Sequence, residues 1–466
     1  MEPRSLRYVT AACGGEQLSG SPEILVGRVC TDSRQVRPGD LFLALAGDHF
    51  DGHDFLADAV SKGAAAIVVD RSRKPAAQPD CAVIAVENTR LALGRLASRY
   101  RDDFETPIVA VGGSNGKTTT KDLIASVLGQ KRATLCSEAS FNNDIGVPLT
   151  LLKLEREHAA AVLEVGTNHP GELAPLVRMI RPRHGVLTSI GREHLEFFGD
   201  VAGVAQEEGW LAELLPGEGR LFLNGDSEWT PQIAKRTRAG VVRAGFGDHN
   251  DWRGGQVRMD ETGVTFRVSS PRREFDGEYR INLVGRHQVL NALLVLAVGA
   301  EFNLQPDEAR AGLTSCAPPK MRLQIHESNG VFILDDSYNA NADSMLAALQ
   351  TLHDLPCAGR RVAVLGDMAE LGDASAAAHR EIGRCAAELG VTCLIAVGKW
   401  ARHIAEAAGA AGLEDVKVFT GVEEAVAGVR SVVLPGDMVL VKASRAAGLE
   451  RVTEALRGAG QGESKK

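Results

Sequence analysis

The sequence lacks several features that mark secreted, membrane and redox proteins. Its eight cysteines include no C-x-x-C pair, and in a long chain such cysteines are most simply reduced thiols in packed interiors. No apolar run approaches the ~18 residues that a membrane-spanning helix needs. The first residues also lack the apolar core of a signal peptide. We therefore expect a cytoplasmic protein that does not insert into a membrane.

The chain also lacks an excess of basic residues. It carries 52 Lys and Arg against 60 Asp and Glu, a net charge of −8, whereas a general nucleic-acid binder carries a basic surface. Nucleic acid is therefore not an expected partner. The apolar fraction of 44% and the aromatic fraction of 5% fit ordinary α/β domains, and 466 residues predict two to four of them.

The clearest motif is a glycine-rich loop between a predicted strand and a predicted helix. Residues 107–111 predict a short buried strand, and residues 121–128 predict a helix with apolar residues on one face. Between them the chain reads Gly113-x-x-Gly116-Lys117-Thr118. This is shorter than the common phosphate loop, which has another glycine where Val111 stands here.

The residue types in this loop suit phosphate binding. Glycines let backbone N–H groups approach phosphate oxygens, and the N-terminus of the helix adds partial positive charge. Lys117 can neutralise the outer phosphates, and the hydroxyl of Thr118 can bind Mg²⁺. A tight glycine turn with a solvated lysine is the alternative, but the order of strand, glycines, lysine, threonines and helix favours a nucleotide site.

The remaining pattern predicts an α/β protein of three domains. Residues 1–105 predict a small N-terminal α/β domain, 106–315 a central P-loop domain with a parallel sheet, and 316–466 a C-terminal Rossmann-like, doubly wound sheet. The tail, 458–466, is rich in glycine and charge and is predicted to be disordered. Further predicted strands lie at 41–45, 65–69, 82–86, 161–165, 185–190, 331–334, 362–365, 393–397 and 438–441.

Polar residues follow several of these strands. Ligands of open parallel sheets bind beyond the carboxyl ends of the strands, so Glu164 and the segment 191–194 are expected near Mg²⁺ and phosphate. A carboxylate or imidazole at a strand end is otherwise simply solvated. In the N-terminal domain, turn chemistry alone could account for the polar cluster 31–34, and a ligand role is an equal alternative.

The order of the motifs resembles the Mur ligases of bacterial cell-wall synthesis over nearly the whole chain. The segments that carry this resemblance are Thr31-Asp32-Ser33-Arg34 with Pro38-Gly39-Asp40, the phosphate loop, Asn142-Asn143-x-x-Gly146, Glu164-Val165-Gly166-Thr167-Asn168-His169, Gly191-x-x-His194-Leu195-Glu196, Gly285-Arg286-His287-x-x-x-Asn291, Lys320-x-Arg322, Asp335-Asp336-Ser337-Tyr338-Asn339-Ala340-Asn341, Gly366-Asp367-Met368 and Lys442-x-Ser444-Arg445.

The resemblance implies ATP-driven amide formation. The expected reaction joins D-Ala-D-Ala to the terminal carboxylate of UDP-MurNAc-tripeptide through an acyl phosphate, and releases ADP and phosphate. ATP and two Mg²⁺ ions are the expected cofactors, the two peptide substrates are the expected partners, and the enzyme is expected to be a monomer. The N-terminal domain would bind the UDP substrate, the central domain ATP, and the C-terminal domain the amine substrate.

The resemblance also implies roles for individual residues. ATP is expected to contact Gly113, Ser114, Asn115, Gly116, Lys117, Thr118, Thr119, Asn291, Arg322 and Asp336. The UDP group is expected at Asp32, Ser33 and Arg34. The amine and acyl side is expected at Asn339, Asn341, Lys442, Ser444 and Arg445. The expected catalytic residues are Lys117, Glu164, His194 and Glu208, and the expected metal ligands are Thr118, Glu164, His194 and Glu208.

Three positions depart from the family pattern. Ser114 replaces a threonine and keeps the hydroxyl, and Ala342 stands where proline is usual. Glu208 occupies the position of a family lysine that is carbamylated by CO₂. Because glutamate carries a carboxylate without modification, we expect Glu208 to serve the second Mg²⁺ with His194. The alternative is a solvated helix face without a metal role.

Two other functions compete with this interpretation. The first is another ligase of the same superfamily, either the preceding amino-acid-adding Mur ligase or a folylpolyglutamate synthase. The segment 336–341 argues against both of these ligases. The second is a non-catalytic nucleotide-binding protein that senses cell-wall precursors, which only the missing lysine supports. The amine acceptor that triggers phosphate release separates the ligases, and detectable amide product would exclude the sensor.

Overall fold

The computed structural model describes residues 1–47, 50–75 and 79–458. The predicted disordered tail, 458–466, lies outside this description apart from its first residue. The described residues form three larger sheets flanked by helices, so the predicted α/β class with three domains is confirmed. Each of these sheets falls within one of the predicted ranges, while the boundaries at 105 and 315 themselves stay predictions.

The N-terminal sheet has five strands, in the order β2-β7-β6-β5-β4. Strands β4 to β7 are parallel, and β2 pairs with β7 in the antiparallel sense. The predicted strand 82–86 is confirmed to the residue, and the one predicted at 41–45 ends at Leu43. The elements are β1 (Arg4–Ser5), α1 (Leu6–Cys13), β2 (Glu16–Ser19), β3 (Leu25–Val26), β4 (Val29–Cys30), β5 (Leu41–Leu43), α2 (Leu56–Ser61), β6 (Ala66–Asp70), β7 (Ala82–Val86) and α3 (Thr89–Arg101).

The central sheet has nine strands, in the order β16-β15-β14-β13-β12-β11-β8-β10-β9. Neighbours from β9 to β14 are parallel, as predicted, and β14, β15 and β16 add an antiparallel extension that the sequence analysis missed. The elements are β8 (Ile108–Gly112), α4 (Lys117–Gly129), β9 (Thr134–Cys136), α5 (Gly146–Leu151), β10 (Ala160–Glu164), α6 (Leu173–Ile180), β11 (His184–Leu187), α7 (Leu195–Phe198), α8 (Val201–Glu213), β12 (Arg220–Asn224), α9 (Thr230–Ala234), β13 (Gly240–Gly245), β14 (Trp252–Asp260), β15 (Gly263–Ser269), β16 (Gly277–Ile281), α10 (His287–Glu301) and α11 (Pro306–Ser315).

Strand β11 is shorter than the predicted strand at 185–190. It ends at Leu187 because the next residues leave the sheet and support the phosphate loop. Thr188 Oγ1 donates to the carbonyl of Asn115 at 2.6 Å, and the N–H of Ser114 donates to the carbonyl of Ser189 at 2.8 Å. The sheet edge and the loop are therefore tied together.

The C-terminal sheet has six strands, in the order β17-β18-β22-β19-β20-β21. All neighbours are parallel except β17, an antiparallel edge strand. Two apolar clusters lie on opposite faces of this sheet, as in a doubly wound fold. The elements are β17 (Gln324–Ser328), β18 (Val331–Asp335), α12 (Ala342–Asp354), β19 (Arg361–Gly366), α13 (Ser375–Glu388), β20 (Cys393–Val397), α14 (Ala401–Ala410), β21 (Val416–Phe419), α15 (Val422–Val432), β22 (Met438–Lys442) and α16 (Glu450–Arg457).

One apolar core joins the N-terminal and central sheets. It contains Leu6 and Leu96 from the N-terminal part together with Val147 and Leu163 from the central part. Helix α3 packs against α5 and α6 across this junction. Over the described ranges, no helix is long and apolar enough to cross a membrane.

Candidate active site

A cavity of about 1210 Å³ lies where the carboxyl end of the central sheet faces the C-terminal sheet. It brings together residues that the sequence analysis assigned to ATP, to metal ions and to the amine side. The predicted site residues that line it are Ser114, Asn115, Gly116, Lys117, Thr118, Thr119, Glu164, His194, Asn291, Arg322, Asp336, Asn339, Asn341 and Lys442.

The other predicted site residues do not line this cavity. Gly113 begins the phosphate loop and bonds to Glu208 behind it, and Ser444 and Arg445 follow β22. The cluster 32–34 lies in a turn of the N-terminal domain. In that cluster Arg34 donates to Asp32 at 2.9 Å and holds the pKa of the Asp32 carboxyl at about 2. The assignment of residues 32–34 to the UDP group stays a prediction.

The phosphate loop requires glycine at two positions. Gly116 precedes the first residue of α4 with a φ of +85°, and a Cβ there would lie 2.7 Å from Asn291 Oδ1. Gly113 has a φ of +109°, and a Cβ there would lie 2.6 Å from Thr188 Oγ1. Both the left-handed backbone and the close packing exclude larger residues. Helix α4 begins at Lys117, so its N-terminus points into the cavity, as phosphate binding requires.

Three carboxylates surround the ammonium group of Lys117. Its Nζ donates to the carbonyl of Gly113 at 2.5 Å and lies 3.4 Å from Glu193 Oε2. Burial acts to lower the pKa of Lys117. The carboxylates of Glu193, Glu208 and Glu164 outweigh burial and raise this pKa above its ordinary value.

Each of these three carboxylates has one buried oxygen without a hydrogen-bond partner. The oxygens are Glu164 Oε2, Glu193 Oε1 and Glu208 Oε1. Unpaired buried polar atoms are rare in folded proteins, and here three acidic groups face one lysine. The described residues contain no ready-made group of three His, Cys, Asp or Glu metal ligands. Mg²⁺ needs few protein ligands because it keeps waters and binds substrate phosphates, so the unpaired oxygens fit such an ion.

Glu208 lies in the interior of α8 with no exposed surface. Its Oε2 accepts the N–H of Gly113 at 2.8 Å, and burial raises the pKa of its carboxyl well above the ordinary value. The alternative that Glu208 belongs to a solvated helix face is therefore wrong. Its role at a second metal ion stays a prediction.

His194 is held in an unusual backbone conformation. It has a φ of 49°, and its Nδ1 lies 2.5 Å from Oε2 of Glu370, whose own φ is 59°. Non-glycine residues in the left-handed region cost free energy and cluster at functional sites. The contact with Glu370 orients the imidazole, as carboxylates do for metal-binding histidines, and leaves Nε2 on the side of Glu193, 3.9 Å from its Oε2.

The C-terminal sheet contacts the phosphate loop directly. Arg322 donates to Thr118 Oγ1 at 3.1 Å, and its guanidinium lies over the ring of Tyr338. The amides of Asn341 and Asn115 are hydrogen-bonded at 3.0 Å. Residues on both sides of the cavity are thus within reach of one nucleotide.

A second cation lies on the C-terminal side of the cavity. Lys442 at the end of β22 donates to Asp336 Oδ2 at 2.6 Å and to the carbonyl of Asn339 at 3.0 Å. The N–H of Arg445 donates to Asn339 Oδ1 at 3.3 Å. These contacts connect Asp336, which is predicted to contact ATP, with the predicted amine side.

Three residues of this region, Arg192, Glu193 and Glu370, received no individual role from the sequence. Glu193 lines the cavity, and Arg192 beside it bonds to Asp343 on α12 and to Glu381 on α13. Glu370 contacts His194. The segment 191–194 was predicted near phosphate, but only His194 received a role there, because a sequence does not tell a buried carboxylate from a solvated one.

Comparison with known proteins supports the same assignment. Residues 26–101 match the profile of the Mur ligase family, catalytic domain, residues 111–299 the Mur ligase middle domain, and residues 321–445 the Mur ligase, glutamate ligase domain. The chain is 36% identical to the UDP-N-acetylmuramoyl-tripeptide–D-alanyl-D-alanine ligase of Escherichia coli over 461 residues, which are 97% of this chain and 98% of the relative.

Solved structures show the same relationship. The fold matches that of MurF from Acinetobacter baumannii with a TM-score of 0.89 and 30% identity, over 98% of this chain and 99% of the other. It matches the MurF ligase of Thermotoga maritima in complex with ADP with a TM-score of 0.80 and 27% identity, over 92% and 97%. Both the motifs and these matches lead to one conclusion: the chain belongs to the Mur ligase family.

Proposed function

We propose that this enzyme joins D-Ala-D-Ala to the terminal carboxylate of UDP-MurNAc-tripeptide at the expense of ATP. The observation that supports this most strongly is the cavity itself, which gathers the phosphate loop and the predicted amine-side residues Asn339, Asn341 and Lys442 around one space. The named activity of the full-length relative from Escherichia coli is the same reaction.

The reaction has two steps. A carboxylate oxygen of the tripeptide attacks the γ-phosphorus of ATP, the bond from phosphorus to the bridging oxygen breaks, and ADP leaves with an acyl phosphate formed. The amine of D-Ala-D-Ala then attacks the acyl carbon, the bond from carbon to the phosphate oxygen breaks, and the amine loses a proton. Because both steps bring anionic groups together, the site must supply positive charge.

Each predicted residue has a role in this scheme. Lys117 and the N-terminus of α4 would hold the outer phosphates. Thr118 and Glu164 would hold one Mg²⁺, and His194 with Glu208 a second, where the ions would offset charge on the phosphates. Asn291, Arg322 and Asp336 would face the adenine nucleotide.

The remaining roles belong to the parts of the chain as a whole. The N-terminal domain, 1–105, would bind the UDP substrate through Asp32, Ser33 and Arg34. The central domain, 106–315, would bind ATP. The C-terminal domain, 316–466, would bind the amine substrate through Asn339, Asn341, Lys442, Ser444 and Arg445. We propose that the enzyme works as a monomer in the cytoplasm, where ATP and nucleotide-linked precursors are available.

One incubation tests this proposal. The protein is mixed with ATP, Mg²⁺, UDP-MurNAc-tripeptide and D-Ala-D-Ala, and mass spectrometry is used to find the UDP-MurNAc-pentapeptide. Lys117→Ala should abolish the product while the fold survives, because its ammonium no longer offsets phosphate charge. Lys131→Ala, which changes an exposed lysine beyond the end of α4, is the matched control.

Two results would contradict the proposal. Phosphate release with a single amino acid but not with D-Ala-D-Ala would indicate another ligase of the superfamily. Nucleotide binding by the folded protein without any amide product would indicate a precursor sensor.

A further inference from the structure

Glu193 is a buried carboxylate whose hydrogen bonding is incomplete. It is 5% exposed and lines the cavity, and its Oε1 has no partner. Its Oε2 lies 3.4 Å from Lys117 Nζ and 3.9 Å from His194 Nε2. Burying a charged group with one oxygen unpaired costs free energy. A cation bound to the Glu193 carboxylate would offset that cost.

The neighbouring imidazole presents a free nitrogen to the same space. Since Nδ1 of His194 is engaged by Glu370, Nε2 is the nitrogen left for a ligand. Two adjacent ligand atoms of an octahedral Mg²⁺, each about 2.1 Å from the ion, are about 3.0 Å apart. The 3.9 Å between His194 Nε2 and Glu193 Oε2 is about 1 Å longer, so a rotation of the Glu193 side chain would bring both atoms onto one ion.

The chemistry of the ion also requires a residue like Glu193. Mg²⁺ prefers hard oxygen ligands, whereas imidazole nitrogen suits softer transition metals. An imidazole alone would therefore bind Mg²⁺ poorly, and a carboxylate beside it provides the oxygen that the ion prefers.

The backbone around Glu193 is fixed from both sides. The N–H of Gly191 donates to Ser114 Oγ at 2.9 Å, and the N–H of Arg192 donates to Asp343 Oδ2 at 2.7 Å. The segment is thus attached both to the phosphate loop and to helix α12 of the C-terminal part. Such support keeps a ligand in place before the ion arrives.

We infer that Glu193 is a protein ligand of the second cation, together with His194. This inference rests on the two-ion site of the proposed function and adds a residue that the family resemblance did not supply. When the cation takes Glu193, Lys117 loses its carboxylate contact at 3.4 Å and is free to turn toward the phosphates. Glu193 therefore both binds the ion and releases the lysine.

The test counts bound metal ions, so it does not depend on turnover. The full-length protein is titrated with Mn²⁺ in the presence of β,γ-methylene ATP, and free Mn²⁺ is measured by electron paramagnetic resonance. The wild type should bind two ions, and Glu193→Gln should weaken the second at least tenfold. Glu196→Gln, which alters an exposed glutamate three residues along, is the matched control and should bind like the wild type.

A double-variant cycle checks that the two ligands serve one ion. His194→Gln should weaken the same ion, and Glu193→Gln with His194→Gln should weaken it by much less than the sum of the single effects, because both remove one interaction. Thermal melting monitors the fold. Glu193→Asp keeps the charge on a shorter side chain and should give an intermediate loss if Glu193→Gln does not fold.

Three results would overturn the inference. The first is that Glu193→Gln binds two ions with wild-type affinity or, where Glu193→Gln does not fold, that Glu193→Asp does so. The second is that Glu196→Gln weakens the second ion as much as Glu193→Gln does. The third is that the wild type binds a single ion. None of these depends on pentapeptide formation. If the wild type binds two Mn²⁺ ions but forms no pentapeptide, the proposed reaction is rejected and the assignment of Glu193 as a metal ligand is unaffected.

Discussion

At the scale of single residues, the site is governed by the excess of acid over base around the phosphate loop. Glu164, Glu193 and Glu208 face Lys117, and each keeps one buried oxygen unpaired. Burial also raises the pKa of the Glu208 carboxyl, which relieves part of this excess negative charge when no cation is bound. The nucleotide brings further negative charge, so this cavity favours ligands that arrive with divalent cations.

The first prediction concerns Glu208. Glu208→Gln keeps the shape and can still accept the N–H of Gly113, but it loses the charge. If the carboxylate serves the second ion as proposed, ligation should slow by roughly 10²-fold or more, the range found when one charge-stabilising group is lost. Activity of the wild type should be unaffected by removal of dissolved bicarbonate, because glutamate needs no CO₂. Steady-state rates of pentapeptide formation measure both effects.

The control for this prediction lies on the same helix. Glu213→Gln changes an exposed residue of α8 and should retain the wild-type rate. A Glu208→Gln enzyme that also turns over like the wild type would mean that Glu208 only supports the loop backbone through Gly113.

Residue types and spacing predicted much of this site, but not the burial of its acids. The glycines and Lys117 can be recognised from the sequence because a strand, a turn and a helix follow one another in a fixed order. Glu193 follows β11 in the chain like many solvated carboxylates, but it is buried beside Lys117, which lies 76 residues earlier in the sequence. Contacts of that kind, such as Arg192 with Asp343, leave no local pattern.

At the scale of secondary structure, the strands buried on both faces were predictable and the antiparallel extension was not. Strands such as β7 and β20 are unbroken apolar runs, because helices cover both faces of a parallel sheet. Strand β14 instead contains Gly254, Gly255 and several polar residues, and it is exposed on part of its length. Its stability comes from pairing with β13 and β15 and from packing under α10, which no local window reveals.

The second prediction concerns His184 at the start of β11. The imidazole packs edge-on against Phe222 and Phe302, and burial lowers its pKa to about 4. Since the unfolded chain binds this proton near pH 6.5, the contribution of His184 to stability is present above pH 6.5 and is lost as the pH falls toward 4. At pH 5 the loss is on the order of 2 kcal/mol relative to pH 7.

A non-titrating replacement should remove this dependence. Phenylalanine has a similar shape and no proton to bind, so His184→Phe should lose less thermal stability than the wild type between pH 7 and pH 5. Differential scanning calorimetry at both values measures the difference. His353→Gln removes an exposed histidine and should follow the wild type, and parallel behaviour of wild type and His184→Phe would contradict the prediction.

At the scale of the whole molecule, the two junctions between the sheets differ in kind. The N-terminal and central sheets share an apolar core, supported by Tyr100, whose hydroxyl donates to the carbonyl of Leu154 at 2.7 Å. The central and C-terminal parts share a smaller apolar contact, in which Leu195, Met259 and Val284 join the C-terminal cluster. They also meet through polar contacts, such as Tyr338 with Ser140 at 2.8 Å and Arg192 with Glu381 at 2.6 Å. The order of the domains could be predicted from motifs, but this difference could not, because it depends on side chains far apart in sequence.

The third prediction follows from that difference. Polar contacts are replaced by water at little net cost, whereas an apolar core is not, so the C-terminal part should open away from the other two, which move together. ATP and the UDP substrate should favour the closed arrangement, because closure excludes water and protects the acyl phosphate from hydrolysis. Small-angle X-ray scattering should therefore show a smaller radius of gyration with both β,γ-methylene ATP and UDP-MurNAc-tripeptide than without ligands.

The contacts of Arg192 provide the variant that tests where the molecule opens. Its guanidinium binds Asp343 and Glu381 across the polar junction, so Arg192→Met should weaken that junction and give a larger radius of gyration without ligands. Arg384→Met removes an exposed arginine that pairs with Glu388 on the same helix and should scatter like the wild type. Equal profiles for wild type and Arg192→Met, each unchanged by saturating ligands, would mean that the closed arrangement is permanent. Substrates would then have to enter the cavity without any movement of the C-terminal part.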